Sequence, residues 1–194
     1  AAAEAVFDDA ESEFTSAEIQ NAVNGSSFAN SIDDVNFGYT LNSQELSQGI
    51  SAVDDALTRL ASAAGVLSEI RSLAFDAQQE DADIAELNTQ YGAKLDELTA
   101  LINDAGSASD GTNTFTFDNL LTSGTLSYEA DANSGKSIDA RGGALDTDIL
   151  AGLPTSLSAA NANGILTEVD TTYTEALTEL KDNLVTDRKI FDFA

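Results

Sequence analysis

One unbroken apolar seam near the middle of the chain restricts its fold more than any other feature. Ile50, Val53, Leu57, Leu60, Ala64, Leu67, Ile70 and Ala74 follow one another mostly in steps of three and four. A globular surface helix shows a broader stripe, whereas this spacing gives the narrow seam of a helix packed lengthwise on another. The opposite face carries Asp54, Asp55, Arg59, Ser62, Glu69 and Ser72, which places those side chains in solvent. Gly65 is the one poor helix former inside the run, at a cost of ~1 kcal/mol relative to Ala. The spacing predicts a helix of about 28 residues beginning near residue 48, well beyond the usual length of roughly a dozen.

Such a seam needs partners, and the sequence supplies two. The polar stretch 78–83 ends the first helix. A second seam, Ile84, Leu87, Tyr91, Leu95, Leu98 and Ile102, predicts a helix over residues 82–104. So short a connection between two seam-bearing helices implies an antiparallel hairpin. A third seam, Leu166, Val169, Tyr173, Ala176, Leu180 and Leu184, predicts one long helix from residue 163 or 164 to 191. Leu177 widens its face, Asp187 interrupts it, and Ile190, Phe191 and Phe193 resume it. Near the start, Thr15-Ser16-Ala17-Glu18 has capping-box spacing ahead of Ile19, Ala22 and Val23, and Asn24-Gly25 follows as a stop. A short helix is expected there. Residues 31–47 read as a loop leading into the long helix.

Between the second and third seams the pattern changes to that of strands. Residues 105–124 are rich in Gly, Ser, Thr, Asn and Asp, and residues 112–117 alternate polar with apolar. Thr125-Leu126-Ser127-Tyr128-Glu129 and Lys136-Ser137-Ile138-Asp139 flank Asp131-Ala132-Asn133-Ser134-Gly135, whose Asn and Gly suit the positive-φ positions of a hairpin turn. Gly142-Gly143 closes the hairpin, and the loop-rich residues 144–163 hold the only proline, Pro154. The expected fold is mainly α: an elongated antiparallel bundle of three long helices plus a short helix, with a small β-hairpin excursion between the second and third long helices. Its segments are 1–47 (short helix and lead-in), 48–105 (helical hairpin of the rod), 106–162 (β-hairpin and loop excursion) and 163–194 (C-terminal rod helix).

Charge and missing residue types then narrow the function. The chain has 34 Asp and Glu against 8 Lys and Arg, a formal net charge of -26. A surface this acidic repels phosphate backbones and anionic membranes, so neither nucleic acid nor membrane is an expected partner. No stretch approaches the ~18 apolar residues of a membrane span. The absence of Cys excludes disulfides, thiolate nucleophiles and cysteine metal sites. The absence of His removes the usual general base and most transition-metal sites. Carboxylates are so abundant that no pair stands out for acid–base chemistry. No catalytic, cofactor-binding or metal-binding residues are expected, and the chain does not read as an enzyme.

Smaller features have bland readings beside functional ones. Asp131-Ala132-Asn133-Ser134-Gly135 shares the front half of a calcium-loop pattern, but Gly142 stands where such a loop has its bidentate Glu, so a hairpin tip is the better reading. Asp146-Thr147-Asp148 and the pair Asp104 and Asp110 are weak cation candidates in so acidic a chain. Asn24-Gly25-Ser26 is a glycosylation sequon that also reads as a helix-ending turn. Tyr91 and Tyr173 sit in seams as core aromatics. Arg71 is either a solvated charge or a partner for Glu69, Asp76 or another chain.

Several motifs in order resemble the rod region of bacterial flagellins. Gln48-Gly49-Ile50-Ser51 resembles the family's N-D-G-I-S, and Leu67-Ser68-Glu69-Ile70-Arg71-Ser72-Leu73-Ala74 resembles its L-x-x-[VI]-R-x-L-A. The run from Phe115 to Leu121 is similar to F-N-G-x-x-L-L, though the F-N-G is Phe115-Thr116-Phe117 here. The segment from Gly124 to Asp139 is similar to the family's L-x-[IV]-[QE]-x-G-A-N-x-G-x-[TS]-I hairpin, and Leu166-Thr167-Glu168-Val169-Asp170 resembles L-x-x-[VI]-D. The resemblance spans about residues 48–190. The first 30 residues do not resemble the family's apolar coil, so the pattern is that of a rod-domain core whose terminal polymerisation segments are missing.

The resemblance implies an extracellular structural subunit of the bacterial flagellar filament, self-assembling through its helical rod and serving motility. The alternatives are a hook–filament junction protein, or an extracellular helical binding module or adhesin. It implies that Leu57, Leu60, Leu67, Leu73, Leu95, Leu98, Leu180 and Leu184 build the rod core and that Arg71 touches a neighbouring subunit. Other copies of the chain, hook-associated proteins and an export chaperone are the partners so implied. Glu69 and Gln90 fall where receptor-stimulating flagellins carry Arg and Glu, which implies weak recognition by the flagellin-sensing innate receptor.

Overall fold

The structure, a computed structural model, describes residues 41–109, 114–131 and 134–193; the short helix expected over 15–24 lies outside them. The first described helix, α1 (Ser43–Asp76), is 34 residues long. It begins inside the stretch expected to be a loop, because Asn42 caps it: the Asn42 Oδ1 accepts the Glu45 N–H at 3.3 Å. The Asn42 backbone N–H also donates to the Ala130 carbonyl at 3.0 Å, which ties the start of α1 to the hairpin. Helix α2 (Ile84–Asn103) is capped in the same way by Asp83, whose carboxylate accepts the Glu86 N–H at 3.2 Å.

Two small antiparallel sheets follow. Strand β1 (Ser107–Ser109) pairs with β2 (Thr114–Thr116), and β3 (Thr125–Asp131) pairs with β4 (Lys136–Arg141). A register shift between Glu129 and Asp131 lets the tip close, with Gly135 at φ +64°, a backbone region open chiefly to glycine. A π-turn (Asp146–Leu150) lies in the following loop. The chain ends in α3 (Ala162–Glu168), a second π-turn (Val169–Tyr173) and α4 (Thr174–Asp192). The architecture is thus mainly helical, with four α-helices among the described residues rather than three continuous ones.

Ion pairs and one hydrogen bond fix the helix directions. Glu69 with Lys94 and Arg59 with the Leu101 carbonyl run α2 antiparallel to α1; Arg71 with Asp170, and Asp54 with Arg188, run the C-terminal segment antiparallel to α1 as well. Both pack mainly on α1, so α1 is the central helix of the described fold, with α2 and the C-terminal segment as its two partners. The burial pattern shows this directly. Neighbours in sequence are buried together along α1 (Ala52 and Val53, Ala63 and Ala64, Val66 and Leu67), which a single heptad seam does not allow. Helix α2, covered on one side, buries only Tyr91, Leu98 and Ile102. Small residues admit the close approach: a Cβ on Gly49 would lie 2.5 Å from the Phe191 ring.

The C-terminal helix departs from its expected seam at the second π-turn. The buried residues are Ile165, Val169, Tyr173, Leu177, Leu180 and Leu184, while Leu166 and Ala176 are only half-buried. The path from Ile165 to Leu177 takes three successive steps of four. At 3.6 residues per turn each such step overshoots by about 40°, so an unbroken helix would carry Leu177 about 120° away from Ile165. Widening one turn by a residue brings the two back to the same side. Dihedrals remain helical on both flanks, at φ −65°, ψ −41° for Glu168 and φ −74°, ψ −38° for Tyr173. The Thr174 hydroxyl donates to the Val169 carbonyl at 2.6 Å, supplying that carbonyl with a donor inside the widened turn.

The π-turn therefore behaves as one extra residue. Deleting the exposed Thr172 is expected to leave the melting temperature within about 4 °C, because Ile165, Val169, Tyr173 and Leu177 regain steps of four and three. Deleting the exposed Glu179 instead turns Val169 and Tyr173 away from Leu180 and Leu184, with an expected loss above ~4 kcal/mol. Thermal melts of the two variants check this; equal losses would contradict it.

Candidate functional site

The eight rod leucines divide into two groups. Leu60, Leu67, Leu98, Leu180 and Leu184 are buried, whereas Leu57, Leu73 and Leu95 are half-buried against the same core. The larger surprise is in the charged residues. Arg59, expected in solvent, is buried and meets α2 where that helix ends. Its Nε donates to Asp55 at 2.9 Å, its Nη1 to the carbonyls of Leu101 (3.0 Å) and Asp104, and its Nη2 to Asn119 Oδ1 at 2.9 Å. Asn119 Nδ2 donates in turn to the carbonyls of Ile102 (2.9 Å) and Asn103 (3.1 Å). Together they satisfy four successive carbonyls at a helix C-terminus, where a cation also meets the negative end of the helix dipole. Beside Asn119, Leu120 and Leu121 are fully buried, so this part of the Phe115-to-Leu121 run anchors the chain after α2. The available sequence signal was Asp55 four residues before Arg59, a helical ion-pair spacing.

Asp187, read as a break in the seam, is a buried anchor. Its carboxylate accepts the Arg141 backbone N–H at 2.6 Å and the Arg141 guanidinium at 2.6 and 2.9 Å, holding β4 on α4. Arg188, 2% exposed, donates to Asp54 at 2.8 Å and pairs with Asp192. Burial pushes the Asp54 carboxyl up from its ordinary value, and Arg188 works against that shift.

Arg71 pairs with none of the side chains expected for it. Its Nε and Nη2 grip Asp170 at 2.5 and 2.9 Å, from the same chain but 99 positions away. This hydrogen bond holds the Asp170 carboxyl below its usual range. Glu69 pairs with Lys94, and Gln90 donates to Glu86 at 2.9 Å; Glu69, Gln90 and Lys94 line a groove between α1 and α2 together with Leu73 and Ala93.

Neither a family model nor a curated protein matches the sequence. Among solved structures, the crystal structure of Bacillus cereus flagellin superposes on the chain with a TM-score of 0.62 at 16% identity, over 81% of this chain and 90% of that one. The chain has a flagellin-like fold. None of its described helices is long and apolar enough to cross a membrane.

On this flagellin-like fold the Asp131 candidate serves the hairpin tip. The Asp131 carboxylate accepts the Ser134 hydroxyl at 2.5 Å, and the Gly135 N–H donates to the Asp131 carbonyl at 3.1 Å, closing the hairpin tip. Asp146 opens the first π-turn. Among the described residues no group of three or more carboxylates is placed to hold a metal ion; Asp110 and the Asn24 sequon lie outside them. Tyr91 and Tyr173 fasten the loop that follows the hairpin. The Tyr91 hydroxyl donates to the Pro154 carbonyl at 2.7 Å, and the Tyr173 hydroxyl packs so close to Gly152 that a Cβ there would lie only 2.5 Å from it.

Two outcomes follow from these contacts. Arg59→Ala strands Asn119 and the α2 carbonyls, with an expected loss of about 3 kcal/mol in urea unfolding, whereas Arg71→Ala, at a solvent-screened pair, is expected to cost far less; equal losses would remove Arg59 from its structural role. Burial lifts the Tyr91 phenol from 10.0 to about 12. The unfolded phenol therefore releases its proton first as pH rises, so this contribution to stability is whole below 10 and is lost between 10 and 12. Tyr91→Phe is expected to be less stable than wild type by about 1 kcal/mol at pH 7 and to lose less between pH 10 and 12, measured by unfolding at each pH.

Proposed function

We propose that this chain is a structural subunit of the bacterial flagellar filament, assembling with copies of itself outside the cell through its helices. The observation that carries this reading is the likeness of fold to Bacillus cereus flagellin, which reaches 90% of that chain. The activity is assembly rather than catalysis. Identical subunits joined by contacts that do not close a ring generate a helical array, and the exposed faces of α1, α2 and α4 are the surfaces available for it. Arg71 reaches a neighbouring subunit only by exchanging Asp170 for an acid of that neighbour, and the half-exposure of both groups leaves room for the exchange. Hook-associated proteins and an export chaperone belong to the same reading, as does weak recognition by the innate receptor, with Glu69 engaged by Lys94 and Gln90 by Glu86.

Assembly has an electrostatic condition. Copies carrying -26 each repel unless salt screens them, and the screening length shortens from ~30 Å at ~10 mM salt to ~8 Å at ~150 mM. Electron microscopy of the full-length secreted protein is expected to show filaments at ~150 mM salt and their loss at ~10 mM with a chelator. Filaments equally intact in both would remove the electrostatic condition. Non-filamentous protein in both, with motility intact after gene deletion, would remove the filament reading itself. The same filaments on receptor-reporter cells are expected to signal weakly, and full potency would overturn that part.

A further inference from the structure

The segment around the second π-turn carries two apolar seams. One, Ile165, Val169, Tyr173 and Leu177, is the seam the structure buries, and its three steps of four need the widened turn. The other, Leu166, Val169 and Tyr173, takes steps of three and four and needs only a plain α-helix. Both join the same downstream residues, Leu180 and Leu184. Ile165 and Leu166 are isomers with equal apolar content, so exchanging one for the other in the core leaves the buried carbon unchanged. Leu166 already lies half-buried against the core.

The anchors are unequal on the two sides of the turn. Downstream, α4 is fixed by Asp187 on Arg141 and by Arg188 on Asp54. Upstream, α3 is seven residues long, has no side-chain cap hydrogen bond, and is followed at once by Asp170, whose grip on Arg71 is half-exposed. A π-turn is lost when N–H groups re-pair from the fifth to the fourth preceding carbonyl, a local change that leaves the helix formed.

We propose that residues 162–173 form a two-register switch latched by Arg71 and Asp170. In the π register, seen here, Ile165 faces inward and Asp170 meets Arg71. In the α register the upstream segment turns by most of one residue's rotation, Leu166 replaces Ile165, and Asp170 leaves Arg71. The residues leading into α3 move with it, so the switch resets how the 151–161 loop sits on α2, where the Tyr91 hydroxyl donates to the Pro154 carbonyl and the Leu157 N–H donates to Asn88. This inference stands independently of the filament reading.

NMR relaxation dispersion on the isotope-labelled full chain tests it, since such exchange falls in the μs–ms range. Exchange over residues 151–173, strongest at 162–173, is expected in the wild type. Arg71→Ala, which releases the latch, is expected to raise the minor population about two- to fivefold. Leu166→Gln, which disfavours the α register while touching only a half-buried position, is expected to abolish the exchange. Absence of exchange in both the wild type and Arg71→Ala overturns the proposal, as does exchange that Leu166→Gln leaves unchanged.

Discussion

Helix α1 remains buried along a length that would leave a lone helix half in water, because two different sets of partners cover it. Helix α2 lies along its C-terminal half; α4 and the β3–β4 hairpin lie along its N-terminal half, with α3 and the second π-turn near its end. Each partner is thin and one-sided, as α2 shows with only Tyr91, Leu98 and Ile102 buried. None of them has an apolar face large enough to stand without α1, and dispersion and hydrophobic burial are collective over the contact. Gly49 of α1 matters for the same reason, since it lets the rings of Phe191 and Tyr128 approach.

Charge is distributed by a rule that follows from scarcity. Of the chain's 8 cations, four are arginines, and every arginine joins separate elements: Arg59 joins α1 to the end of α2, Arg71 joins α1 to the second π-turn, Arg141 joins β4 to α4, and Arg188 joins α4 to α1. The planar guanidinium suits this use, since it serves several acceptors at once. Its consequence appears outside: with cations drawn into internal joints, the exposed faces are left acidic. The same feature that fastens one subunit makes two subunits repel, and this links the interior chemistry to the salt dependence of assembly.

Much of this was legible in the sequence. The helices, their antiparallel order, the hairpin with strands read at residues 125–129 and 136–139, and the flagellin-like character came from periodicity, turn residues and motif order. Where the reading failed, it failed at residues whose role depends on a partner far away in sequence. Arg59 and Asp187 looked like a solvent face and a seam break because a helical wheel ranks residues by polarity. Burial of a charge depends instead on whether carbonyls or an arginine wait for it in three dimensions. Leu166 was placed inward and Ile165 left out because a heptad was assumed to continue through residues 169–173.

The sequence by itself determined which segments are helix or strand and that the helices must share apolar surface, because these follow from local propensity and from a period set by covalent geometry. Only the tertiary structure decided that α2 and α4 share α1 as their common partner, that Asp170 rather than Glu69 or Asp76 meets Arg71, and that a π-turn corrects the phase of the last helix. Those outcomes depend on long-range packing, in which faces of similar hydrophobicity compete and the winner is set by volume and by which polar groups find partners.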